Sequence, residues 1–192
     1  PELDAFSPED LKRAHGVMMR GLVERAGEFR TSSVGVIDER GRVIHVAPPY
    51  DMVGGLTGQL FDWLKESKAQ MLIRSSVFHY EFEFIHPFAD GNGRMGRLWQ
   101  TALLASWKPV FEWIPVESII KDRQEEYYRA IGLSTEEGKS DPFILFMLDA
   151  IKEAVAELAR DTRGHRIHIS NQIGALMAVI QTYPMSASEL MG

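Results

Sequence analysis

The chain has 192 residues, 45% of them hydrophobic and 25% charged, with a formal net charge of −6 at pH 7 and a pI near 5.5. That balance excludes a disordered or fibrous chain and argues against a surface that binds nucleic acid over its whole extent. With no cysteine and no apolar run near the ~20 residues of a membrane span, the sequence reads as one soluble cytoplasmic domain with an appendage and no membrane partner.

Ser7, Pro8 and Asp10 open the first helix: serine caps it, proline takes the first helical position, and an acid stands three beyond the cap. The helix is expected to run to about Arg25, with Leu11, Met18, Leu22 and Val23 as its buried stripe. Val34 to Ile37 and Val43 to Val46 are β-branched runs around the polar cluster Asp38 to Gly41, which predicts a hairpin at about 34–46, ended by Pro48 and Pro49. A helix follows over about Tyr50 to Lys65. From Lys68 to Ile85 the pattern is ambiguous, because Phe78, Tyr80, Phe82 and Phe84 alternate as in a strand while Ile73, Val77, Tyr80 and Phe84 keep helical spacing. Asn92 to about Ser106 is rich in helix formers. Further helices are expected over about Val116 to Ile131, after Pro115, and about Asp141 to Arg160, where Asp141 and Pro142 resemble a cap and first position. Charge density rises around Gly164 as in a linker, and Ile173, Leu176, Met177 and Ile180 then repeat at helical spacing. His165 and His168 have a spacing that some metal sites use, without acidic or Cys partners, and His79 reads as a structural histidine. The missing initiator Met and the abrupt finish at Gly192 suggest a piece of a longer protein.

Residues 86–97 concentrate the chemistry: His86, Pro87, Phe88, Ala89, Asp90, Gly91, Asn92, Gly93, Arg94, Met95, Gly96, Arg97. Gly91 and Gly93 allow close backbone approach to a ligand, and the turn delivers free N–H groups at a helix N-terminus, which attracts phosphate. Arg94 and Arg97, three apart, share one helix face where their guanidinium forks can clamp phosphate oxygens. His86 has the side chain whose ordinary pKa suits proton abstraction from a hydroxyl, and Asp90 is a hard oxygen ligand suited to Mg²⁺. No Walker A pattern occurs in the chain.

Every fixed position of this stretch matches the signature that it resembles, that of the Fic family. The resemblance implies a mainly α fold: a Fic-type helical bundle over residues 1–160 with the hairpin as a small flap and residues 86–97 as the active-site loop. It also implies that the loop joins two helices, which decides for helix over 68–85. Residues 161–192 then form a linker and C-terminal helical segment, either the start of a winged-helix unit or a plain docking helix. The first leaves open a DNA contact through a part not present here.

The activity implied is protein adenylylation. A Ser, Thr or Tyr hydroxyl of a target attacks the α-phosphorus of ATP, AMP is attached, and pyrophosphate leaves. By the same resemblance His86 is the base, Asp90 holds Mg²⁺, and Gly91, Asn92 and Gly93 donate to the α-phosphate, with the Asn92 side-chain amide among the donors. Arg94 meets the γ-phosphate and Arg97 neutralises further phosphate charge. Tyr127 and Tyr128 fall where family members often place a ring near the nucleobase. The flap is expected to pair with an extended segment of the target, and Thr31, Ser32 and Ser33 are candidates for self-modification. Alternatives are another Fic chemistry, namely removal of AMP or transfer of UMP, phosphate or phosphocholine, and a nucleotide-sensing DNA-binding regulator. The branch that moves phosphate, the Doc toxins, departs from Gly91, Asn92 and Gly93, so the intact glycines favour AMP. The family's inhibitory pattern, Ser or Thr followed four residues later by Glu, does not occur; Ser118 has Asp122 at that spacing, but Arg123 follows. Arg94 is therefore expected to be free of such a glutamate from within this chain, and self-AMPylation to be detectable.

Overall fold

The computed structural model describes residues 3–37 and 43–161. The fold is mainly helical and divides into two compact units, residues 1–106 and 107–192.

In the first unit, α1 (Pro8–Met18) opens as expected, with the Ser7 hydroxyl accepting the Asp10 N–H at 3.2 Å. It stops seven residues short of Arg25. Gly21 turns the chain at φ +77° and Leu22 is 65% exposed, so the stripe holds at Leu11 and, partly buried against the core, at Met18, and its extension to Leu22 and Val23 is corrected. The buried positions are Leu11, His15 and Met19, each one turn beyond the last. Strands β1 (Gly35–Ile37) and β2 (Val43–Val46) form the hairpin, antiparallel, with Gly35 opposite Val46 and Val36 opposite His45. Its turn, Asp38 to Gly41, lies outside the described residues. A short 3₁₀ turn at Tyr50–Met52 leads into α2 (Val53–Glu66), and α3 (Met71–Ile85) and α4 (Asn92–Trp107) follow.

The ambiguous segment is helix, and α3 shows why its periodicity misleads. Leu72, Ile73, Ser76, Phe78, His79, Tyr80, Phe82, Glu83 and Ile85 are all buried. A helix enclosed on most of its circumference has no polar face to mark its period. Its rings join Leu11, Phe61, Phe88, Met95, Trp99 and Leu103 in one core cluster, and the Trp99 indole N–H donates to the Ala5 carbonyl at 2.9 Å.

In the second unit, a 3₁₀ turn (Pro109–Trp113) precedes α5 (Val116–Asp122), α6 (Gln124–Glu137) and α7 (Asp141–Asp161). The single helix expected over 116–131 is thus two. The break is at Arg123, φ −110° and ψ 33°, whose guanidinium binds Glu126 of α6 and Asp149 and Glu153 of α7. Gly138, at φ 64°, ends α6. Residues 162–192, with the linker, the C-terminal helical segment, His165 and His168, lie outside the described residues. No helix among those described is long and apolar enough to cross a membrane.

Candidate active site

The signature loop joins α3 to α4 within the first unit. His86 caps α3 at φ 50° and ψ 60°, the one non-glycine residue with positive φ among those described. Such a backbone costs about 1–3 kcal/mol and persists only where its surroundings over-determine it. They do so here. The His86 N–H donates to the Phe82 carbonyl at 2.9 Å, and its own carbonyl accepts the Arg30 Nε–H at 2.8 Å. Arg30, 4% exposed, also donates to the carbonyls of Ile85, Ser32 and Pro48, and its backbone N–H donates to Pro87.

The rest of the loop is braced from two more directions. His15 of α1 donates from Nε2 to the Asp90 carbonyl at 2.9 Å, accepts the Gly27 N–H at Nδ1 at 2.8 Å, and stacks on Phe88 with centroids 3.7 Å apart. Those two bonds fix its neutral tautomer, and burial lowers its pKa. Asn92, fully buried, accepts the Phe88 N–H at Oδ1 (2.9 Å) and donates from Nδ2 to the Phe88 carbonyl (2.8 Å). The Asn92 side chain, expected among the phosphate donors, is therefore a staple that closes the loop. The Gly91 N–H likewise donates to Asp90 Oδ1 at 2.6 Å instead of facing outward. The N–H groups left over by helix geometry are those of the first turn of α4, Asn92 to Arg94.

Gly91 sits at φ 83°, and a Cβ there would lie 2.8 Å from the Met19 sulfur. Its achirality serves both the turn and the approach of the segment after α1. Gly96 is tighter still: a Cβ would lie 2.6 Å from Glu83 Oε1 and 3.0 Å from the His79 ring. Gly96→Ala is expected to lower stability by about 1–3 kcal/mol through overpacking of α3 against α4, read as a drop in denaturation midpoint. An unchanged midpoint would contradict this packing.

The imidazole of His86 is mostly enclosed. Its Nδ1 lies 3.3 Å from the Glu83 carbonyl, which can only accept, so Nδ1 carries the proton and Nε2 keeps its lone pair. Burial pushes its pKa down to about 4, so the ring is a neutral base at physiological pH. Glu83 lies beneath it, with Oε2 3.9 Å from His86 Nδ1 and Oε1 3.9 Å from His79 Nε2. Burial pushes Glu83 up to about 7, against the pull of Arg97, and pushes His79 down to about 3.

These shifts have opposite signs in stability. Between pH 6.5 and 4.5 unfolding lets His86 and His79 take up protons, whereas folded Glu83 holds a proton that the unfolded chain releases. The histidine contributions are present above pH 6.5 and fade as pH falls; the Glu83 contribution is present below 4.5 and fades as pH rises through 7. Glu83→Gln is therefore expected to steepen the acid loss of stability between pH 6.5 and 4.5 by about 1.4 kcal/mol per pH unit, measured by urea unfolding across pH. Parallel curves for the two proteins would refute the assignment.

Asp90 is 67% exposed at its side chain and Arg94 46%, with Oδ2 and Nη2 3.9 Å apart. Arg97 stands one turn on, its Nη1 3.3 Å from where a Cβ of Gly93 would be, near Glu83. Among the described residues no group of three or more His, Cys, Asp or Glu could hold a metal. One exposed carboxylate fits Mg²⁺, which keeps several waters and shares phosphate oxygens rather than needing an all-protein cage. Tyr127 and Tyr128 belong to the second unit. There Tyr127 is buried edge-on against Phe143 and Phe146, which accounts for its ring as core, and Tyr128 packs against Tyr127.

Arg30, His15 and Glu83 were not foreseen as site residues. Glu83 alone had a local signal, a carboxylate three positions before His86. The side-chain partners of Arg30 and His15 are up to 56 and 75 residues away, beyond any spacing rule.

The profile described as Fic/DOC family matches residues 5–104, a little over half the chain. The protein adenylyltransferase Fic of Drosophila willistoni is 32% identical over 134 residues, covering 67% of this chain and 24% of that protein. Protein adenylyltransferase fic-1 of Caenorhabditis elegans is 30% identical over 152 residues, covering 76% and 27%. The chain thus spans about a quarter of the length of these curated relatives. Among solved structures, a Fic family protein from Desulfovibrio desulfuricans G20 aligns with a TM-score of 0.79 at 45% identity, over 98% of this chain and 56% of that one. A Fic domain containing signaling protein from Bacteroides thetaiotaomicron, 14% identical with a TM-score of 0.56 over 94% of this chain and 65% of its own, shares the fold. With the complete signature seated between two helices and the family match running across it, the chain belongs to the Fic/DOC family.

Proposed function

We propose that the protein transfers AMP from ATP to a hydroxyl of a target protein, with release of pyrophosphate. The observation that carries this reading is a neutral His86, its proton fixed on Nδ1 and its Nε2 open, one loop ahead of the α4 N-terminus that bears Arg94 and Arg97. The target hydroxyl oxygen forms a bond to the α-phosphorus, Nε2 takes its proton, and the bond to the pyrophosphate oxygen breaks. The first-turn N–H groups of α4 and the two arginines stabilise charge on the phosphates, which is where most catalysis of such a transfer resides. Asp90 would hold Mg²⁺, which when bound neutralises phosphate charge. Relatives named protein adenylyltransferase support the nucleotide chosen.

Incubation with ATP labelled at either the α- or the γ-phosphorus tests the reading. Label from the α position is expected on the protein itself or on lysate proteins, and none from the γ position. Label from γ alone would replace adenylylation by phosphate transfer, and label from neither would reject the proposal.

A further inference from the structure

Arg30 lies just before the hairpin and is buried, yet its guanidinium pairs with no carboxylate among the described residues. It spends its donors on four backbone carbonyls from three places in the chain. Ser32 and Pro48 are the two roots of the hairpin; Ile85 and His86 are the end of α3 and the base itself. The Arg30 N–H to Pro87 bond, 2.9 Å, adds a third tie to the loop. His45 of β2 supports the same junction, its Nε2 donating to the Phe84 carbonyl at 2.8 Å. A planar fork with five donors can bridge several acceptors at fixed angles, which a lysine ammonium cannot do.

We propose that Arg30 is a positioning residue that locks the roots of the hairpin to the backbone of His86, so that one guanidinium sets where an acceptor segment lies relative to the base. The catalytic part of this inference rests on the adenylylation reading and on acceptor docking at the hairpin; the mechanical part does not. Water needs no docking surface to attack a bound nucleotide, whereas a protein hydroxyl does. Loss of the lock should therefore spoil transfer to protein more than hydrolysis of ATP to AMP.

Arg30→Lys, which keeps the charge, and Arg30→Met, which removes it, test this in the full chain. By hydrogen exchange, peptides covering residues 31–48 and 85–91 are expected to exchange together at least about tenfold faster in Arg30→Lys, while α2 stays unchanged. In the wild type itself, the amides of Arg30 and Ala47 are expected to open in one cooperative step as urea is raised. The ratio of α-labelled protein to free AMP is expected to fall by about tenfold or more in Arg30→Lys, with the dissociation constant for ATP within about twofold of wild type. Loosening of only one segment, separate openings in the wild type, or an unchanged ratio in a variant that folds would overturn the proposal. A wild type without α label would remove the adenylylation reading, and the exchange data would still decide whether Arg30 is the lock.

Discussion

His86→Ala is expected to lower transfer of α label to protein by roughly 10²- to 10⁴-fold while leaving ATP bound. The two halves of this expectation have separate structural grounds. The proposed proton transfer needs the Nε2 lone pair, which the Nδ1 bond to the Glu83 carbonyl leaves available. In the proposed reading phosphate binding relies on the first turn of α4 with Arg94 and Arg97, and the brace of that turn comes from Asn92 and His15, whose hydrogen bonds go to Phe88, Asp90 and Gly27 and not to the imidazole. Alanine also relieves none of the φ 50° strain and is no better suited to it, so the loop has no new conformation to prefer. Calorimetry with ATP and Mg²⁺ beside a transfer assay separates the effects. Near-normal transfer by the variant would remove His86 as the base, and lost nucleotide binding would make its role structural.

Asn92→Ala is expected to cost about 2–6 kcal/mol of stability and most of the activity, although every proposed phosphate-binding arginine and the proposed base are untouched. The amide closes a ring with both backbone groups of Phe88, a residue with no exposed surface. Alanine leaves that N–H and that carbonyl buried without partners, each worth about 1–3 kcal/mol. Asn92→Asp separates the two bonds, since a carboxylate can still accept from Phe88 but has no proton to give its carbonyl. Urea unfolding should rank wild type above both variants. If Asn92→Ala were as stable as wild type yet failed to bind nucleotide, the amide would be a ligand and not a staple.

What the sequence disclosed follows from the range over which each signal acts. The hairpin was legible because β-branched runs around a polar cluster are a local pattern, and the Ser7 cap and the Arg123 break differ only in how local they are. Ser7 binds an amide three residues away, whereas the break at Arg123 is tied to carboxylates up to 30 residues away. Enclosure of α3 erased the contrast that periodicity needs, and resemblance had to supply the answer. At the site, the residue types of 86–97 announced the family. The division of labour among them did not show, because Asn92 as staple and Gly91 as donor to Asp90 depend on how the turn closes.

His15 ties the first helix to the loop some 75 positions later to which the proposed reaction is assigned. Trimming the protein down to its signature and flanking helices would leave each named reactive group in place and still take away the imidazole that clasps Asp90 and Gly27 together. A minimal fragment that keeps this brace must therefore begin before Ser7, and shorter versions should look intact on paper while their glycine turn wanders.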